Sequence, residues 1–258
     1  MRIWLQSAAA LGRDPMWADY EKALKKHVQA VARPDTTVDL HGVETMTTGI
    51  DRSHYFESLN TTQIINNAIK AEKEGYDAFA LACMLDPGFF ELREVVNIPV
   101  AFSLESCCHV ACLLAPKFAL LAYSDIMLQR LTEYVKHYGL GERLVPCGCF
   151  STTLEALQDG FKDPEPLLKG AREVAKKAAE QGADMLISTC GCLNMIFINH
   201  GIRGIEGVPV IDSVGTVVKT AEFLLDLKNI GVDRVNRGLY TRVTKEELSA
   251  VRKLYKIE

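Results

Sequence analysis

Residues 75–83 read Gly-Tyr-Asp-Ala-Phe-Ala-Leu-Ala-Cys, and residues 182–190 read Gly-Ala-Asp-Met-Leu-Ile-Ser-Thr-Cys. Gly75, Asp77 and Cys83 stand in register on Gly182, Asp184 and Cys190. Each stretch is a glycine that ends a helix, an acidic turn residue, a short apolar run and a cysteine. The match continues outward. Downstream, Ile98-Pro99-Val100 with Ser103 repeats as Val208-Pro209-Val210 with Ser213. Upstream, 56–74 and 166–181 have helical periodicity, with Leu59, Ile65, Ala68 and Ile69 on one stripe and Leu167, Ala171, Val174 and Ala178 on the other. Further back, 2–6 pairs with 117–123 and 36–41 with 143–150 as strands. The chain is written twice, each half reading strand, helix, strand, helix, strand, connection, strand.

Strands alternating with helices of this length predict parallel sheets with helices on both faces. Apolar runs, unlike alternating patterns, predict strands buried on both sides. The expected fold is α/β, with two pseudo-symmetric lobes, each a mostly parallel four-stranded sheet with flanking helices. We expect residues 1–102 with 213–258 to form the first lobe and 103–212 the second, with the site in the cleft between them. Ligands of such sheets bind beyond the carboxyl ends of the strands, where both cysteines stand. The periodic segment 16–31 is expected to pack on the first lobe. Thr244 to Glu247 is a capping box opening a last helix, whose role as cover, oligomer contact or lid the residues leave open.

The 258 residues are enough for a large core, and 48% hydrophobic content supplies it. Against 33 acidic side chains the 29 Lys and Arg give a formal charge of −4, interspersed and without the basic stripe that nucleic acid requires. No apolar run reaches membrane-spanning length and the start is too broken for a signal core, so a cytoplasmic protein is expected. There, eight cysteines are thiols to be explained by burial, metal or reactivity. Cys147-x-Cys149 and Cys190-x-Cys192 have one residue too few for the usual zinc pairs, and a strand splays such side chains. Cys107, Cys108 and Cys112 suit core packing on the helix after Ser103, and His109 on that helix is either a cleft group or a structural histidine.

Two cysteines at equivalent strand ends are a reason to expect acid/base chemistry. Inverting a carbon next to a carbonyl needs a base on one face and an acid on the other, and a thiol, with a pKa of about 8.5 that donors and helix ends can lower, serves as either. Asp86-Pro87 after Cys83 reads as a helix start that aims backbone donors at that thiol. Gly191 lets the backbone come close to a ligand. Phe89, Phe90, Phe102 and Tyr123 are candidates for an apolar wall suited to a neutral ring. Cys192 competes with Cys190 for the second position.

The segments at 75–111, 182–195 and 207–224 carry a further signal. Ala82-Cys83, two variable residues, Asp86-Pro87-Gly88 and then Arg93-Glu94 resemble the hydantoin racemase branch of the aspartate/glutamate/hydantoin racemase superfamily, a likeness running from about residue 1 to 228. The resemblance implies an Asp/Glu racemase-like two-lobed fold, no pyridoxal phosphate or metal cofactor, catalytic Cys83 and Cys190, and substrate contacts from Gln6, Ser7, Met84, Leu85, Tyr123, Ser124, Gly191 and Cys192. It points to a small-molecule substrate, first a 5-substituted hydantoin, with a homo-oligomer as a possible assembly. Three departures stand out: Leu5-Gln6-Ser7-Ala8 replaces an Asn-Pro-Asn-Ser-like loop, Cys190-Gly191-Cys192-Leu193 replaces Cys-Ala-Gly-Met, and Ala122-Tyr123 replaces a threonine pair. The last two are similar to arylmalonate decarboxylases, which lack the first cysteine. Decarboxylation, cis-trans isomerisation and binding without turnover are the alternatives.

Overall fold

The computed structural model describes residues 1–233 and 241–257, so positions 234–240 and 258, part of the segment 213–258 expected in the first lobe, lie outside the described residues. The first half runs β1 (Arg2–Ser7), α1 (Ala18–Val31), β2 (Thr37–His41), α2 (His54–Lys73), β3 (Ala78–Ala82), α3 (Glu91–Val95), β4 (Val100–Phe102) and α4 (Ser103–Leu114). The second runs β5 (Phe118–Leu121), α5 (Asp125–His137), β6 (Leu144–Val145), α6 (Leu154–Asp159), α7 (Glu165–Glu180), β7 (Met185–Ser188), α8 (Gly191–Asn199), β8 (Gly204–Ile205), β9 (Val208–Pro209) and α9 (Ser213–Asn229). A last helix, α10 (Lys245–Leu254), follows.

The apolar runs become central parallel strands. The first sheet has the order β2-β1-β3-β4, with Leu5 between Leu40 and Ala80 and Phe79 beside Val100. The second has the order β6-β5-β7, with Ala119 between Val145 and Leu186. The same spatial order recurs because the same pattern recurs. All residues of β3, β5 and β7 are buried, as strands covered by helices on both faces must be. Burying side chains such as Phe79 and Phe118 contributes about 1.5–3 kcal/mol each. Helices α2 and α7 both end before a glycine at positive φ, Gly75 at 78° and Gly182 at 87°.

The halves differ from the expected symmetry at one edge. The fourth strand of the second sheet shrinks to a single bridge between Leu186 and Val210. Val208 and Pro209 pair instead with Ile205 and Gly204 in an antiparallel hairpin, and Pro209 has no N–H to give to a ladder. Helix α9, capped by the Asp212 carboxylate on the Gly215 amide, packs against α4, β3, β4 and α1. Helix α10 has the expected capping box and touches α2 through Arg252 on Asn66 at 2.6 Å, leaving Val251, Leu254 and Tyr255 exposed. Among the described residues no helix is long and apolar enough to cross a membrane.

Candidate active site

Four equivalent strand ends empty into one cavity of about 80 Å³. Ser7 comes from the end of β1, Cys83, Met84 and Leu85 follow β3, Tyr123 follows β5, and Cys190, Gly191 and Cys192 follow β7. A water needs roughly 10–15 Å³ by this measure, so the space has room for several waters or a small ring. Both thiols therefore border the same ligand volume.

The two sulfurs are in opposite electrostatic situations. Cys190 is the N-cap of α8, and its sulfur is held below the usual thiol range first by the neighbouring Cys192 thiol and then, against burial, by the nearby backbone N–H groups of Leu193 and Cys192. Burial pushes the Cys83 thiol up to about 12; only the Leu85 N–H pulls the other way, and Glu57 and Asp86 add to the rise. Cys190 is set up to hold a negative charge and Cys83 to hold a proton. Cys192, itself pushed up by burial, accepts from Gln158 Nε2 at 3.6 Å and completes a chain from α6 to Cys190.

Gln6 and Ser124 do not line the cavity. Gln6 is fully buried behind it: its carbonyl oxygen accepts from Trp4 Nε1 at 2.9 Å and Asn67 Nδ2 at 3.0 Å, and its Nε2 donates to the Ser7 carbonyl at 2.7 Å. Ser124 caps α5, its hydroxyl accepting from the Met127 amide at 3.3 Å. Phe89 and Phe102 pack instead around Arg93, whose guanidinium lies 4.3 and 4.6 Å from their ring centres, and Phe90 packs on His137. His109 is exposed on α4, away from the thiols.

Asp86 does not start a helix. It takes φ 43°, and α3 begins only at Glu91. Its buried carboxylate accepts from the amides of Leu104 at 2.9 Å and Glu105 at 2.8 Å and from the Tyr138 hydroxyl at 2.8 Å, tying the Cys83 loop to α4 and α5. Gly191 gives closeness to a protein group: a Cβ there would sit 2.8 Å from the Tyr20 hydroxyl.

Other lining residues come from elements with no repeat signal. Trp17 and Tyr20 reach in from the start of α1, and Met46, Ile50 and Asp51 from the connection between β2 and α2. Burial holds the Tyr20 hydroxyl protonated among the three thiols. Arg130 on α5 donates to the carbonyls of Ile50 and Asp51, both at 3.0 Å, and is paired with Glu57 on α2. Among the described residues the cavity lining contains no Lys, Arg or His, and Asp51 is its one carboxylate. No group of three or more His, Cys, Asp or Glu among the described residues is arranged to hold a metal ion.

Two parallel sheets with cysteine-tipped strands at a shared cavity place the fold in the Asp/Glu racemase class. The allantoin racemase of Klebsiella pneumoniae superposes with a TM-score of 0.77 over 95% of this chain and 94% of its own, at 21% identity. The Asp/Glu/Hydantoin racemase family model matches residues 18–221, and the chain belongs to that family of isomerases. It is 32% identical to the hydantoin racemase of Pseudomonas sp. (strain NS671) over 80% of this chain and 81% of that one. To the hydantoin racemase of Rhizobium meliloti it is 28% identical over 84% and 83%.

Proposed function

We propose that the protein is a cofactor-independent racemase of a neutral cyclic ureide, first a 5-substituted hydantoin, with Cys190 as base and Cys83 as the opposed acid. The observation that carries this reading is one cavity bordered by two thiols of opposite proton preference and by no cationic side chain among the described residues. A dicarboxylate or amino acid would bring a carboxylate that no cationic side chain among the described lining residues offsets. A neutral ring needs apolar walls and a few polar contacts, which Trp17, Met46, Ile50, Met127 and Leu154 with the site's amides and hydroxyls supply.

Cys190 as thiolate removes the proton on C5, the electron pair passes onto the adjacent carbonyl oxygen as an enolate, and the Cys83 thiol delivers its proton to the opposite face. The products are the inverted hydantoin, a Cys190 thiol and a Cys83 thiolate. That state is competent for the reverse enantiomer, or returns through proton exchange with water. The lobes 1–102 with 213–258 and 103–212 would close on the substrate from either side. All eight cysteines are free, the state a reducing cytoplasm maintains, which fits a cytoplasmic enzyme.

Incubating one enantiomer of a 5-substituted hydantoin in deuterated water tests the reading. Inversion with one deuterium incorporated at C5, lost in both Cys83→Ser and Cys190→Ser, is expected. Inversion without deuterium, release of carbon dioxide from a malonate-type acid as the only turnover, or binding with no turnover of any hydantoin would overturn it.

A further inference from the structure

The carboxylate of Asp51 has one oxygen occupied and one idle. Oδ2 accepts from the Tyr123 hydroxyl at 2.9 Å, while Oδ1 is shielded from solvent and has no hydrogen-bond partner. The residue lines the same cavity as the two thiols. It is not there by slack packing. Arg130 clamps the successive carbonyls of Ile50 and Asp51, Tyr123 is itself buried, and the pair of Arg130 with Glu57 fixes the clamp to α2. A shielded carboxylate oxygen without a donor is costly, and such a group in a native fold wants an explanation. Asp51 lines the cavity, so a molecule that settles against this side chain supplies the donor.

We propose that Asp51 is the specificity-determining acceptor of this site, its Oδ1 taking an N–H of a neutral cyclic ureide or imide. The inference rests on the proposed racemase reading and deepens it by naming the group that reads the substrate. The chemistry is selective in both directions. A ring amide N–H beside the reacting carbon gives a charge-assisted hydrogen bond. A carboxylate at the same point meets a like charge, with no Lys, Arg or His among the described lining residues to offset it. An N-alkylated ring fills the space but leaves Oδ1 unpaired, the situation in which a polar site discriminates most strongly.

Calorimetric titration of the full chain with 5,5-dimethylhydantoin and with 1,3,5,5-tetramethylhydantoin separates binding from turnover, because neither has a hydrogen on C5. The wild type is expected to prefer the N–H compound by roughly 10–100-fold, the size of a hydrogen bond to a charged group. Asp51→Ala brings the two compounds within a few-fold of each other through loss of N–H affinity. Asp51→Asn, which retains an acceptor oxygen and nearly the same shape, keeps a part of the preference and guards against a folding defect. Equal wild-type affinity for the two compounds, no binding of either, or a preference unchanged in Asp51→Ala would overturn the proposal. The two readings fail separately. Deuterium-labelled inversion with the preference unchanged in Asp51→Ala sinks only the role of Asp51. Asp51-dependent binding without inversion of any hydantoin sinks only the proton transfer.

Discussion

Cys83 and Cys190 present the same atom and differ in what faces it. Cys190 receives one thiol and two amide donors, whereas Cys83 receives one amide and the repulsion of Glu57 and Asp86. Iodoacetamide at pH 8 should therefore label Cys190 well before Cys83, read by peptide mass spectrometry. The labelling rate of Cys190 should rise with pH through a midpoint below the usual thiol range, and Cys192→Ala should move that midpoint upward by removing a donor to the thiolate. Earlier labelling of Cys83, or an unmoved midpoint, would contradict this account. Under the proposed mechanism kcat/KM should climb as Cys190 loses its proton, and with Cys83 pushed up to about 12 no falling limb should appear up to about pH 10. The sequence was legible at these residues because duplication marks them twice. Tyr20 and Asp51 carry no such mark. One sits on a helix whose periodicity speaks only of packing, the other in a polar connection whose path depends on Arg130 in the other half of the chain.

At the scale of elements, the Asp86-Pro87-Gly88 turn is the instructive misreading. An aspartate before a proline is a sound helix-start signal, yet tertiary donors from α4 and α5 win it here. Asp86 works as a staple between three elements. Asp86→Asn puts an amide N–H₂ among groups that donate, and at pH 8 should cost about 1–3 kcal/mol in urea unfolding. Tyr138→Phe, which removes one donor of three, should cost about 0.5–1.5 kcal/mol. Burial pushes the Asp86 carboxyl up to about 7 despite these bonds. Because the folded value lies above the unfolded one, the unfolded chain releases this proton first. This contribution to stability is therefore greatest in acid, declines as pH climbs from the ordinary carboxylate range through about 7, and is flat above. The difference between wild type and Asp86→Asn should follow that course. A difference independent of pH between 4 and 8 would show that the staple does not titrate. The fourth strand of the second sheet was misread for a related reason: its apolar triplet matches its counterpart, but pairing with β8 draws Val208 and Pro209 away.

For the whole molecule, the two-sheet plan and its parallel order followed from the repeat, since apolar runs separated by helices of matched length leave few other solutions. What joins the halves over the site has no periodicity. Arg130 and Glu57 lie 73 residues apart, both nearly buried, and the guanidinium also holds the connection that brings Ile50 and Asp51 to the cavity. A buried ion pair contributes little net stability compared with apolar replacements, but breaking it on one side strands a charge. Arg130→Met alone should therefore cost about 3–5 kcal/mol, and the double variant Arg130→Met with Glu57→Leu should recover most of it. Recovery of stability should not restore the connection at 47–53. In the double variant amide exchange at 47–53 should remain faster than in wild type while β3 and β7 stay protected, and KM for a hydantoin should rise several-fold with kcat changed less. Wild-type protection at 47–53 in that variant would mean that packing alone holds the connection, and that the ion pair has no part in closing the site.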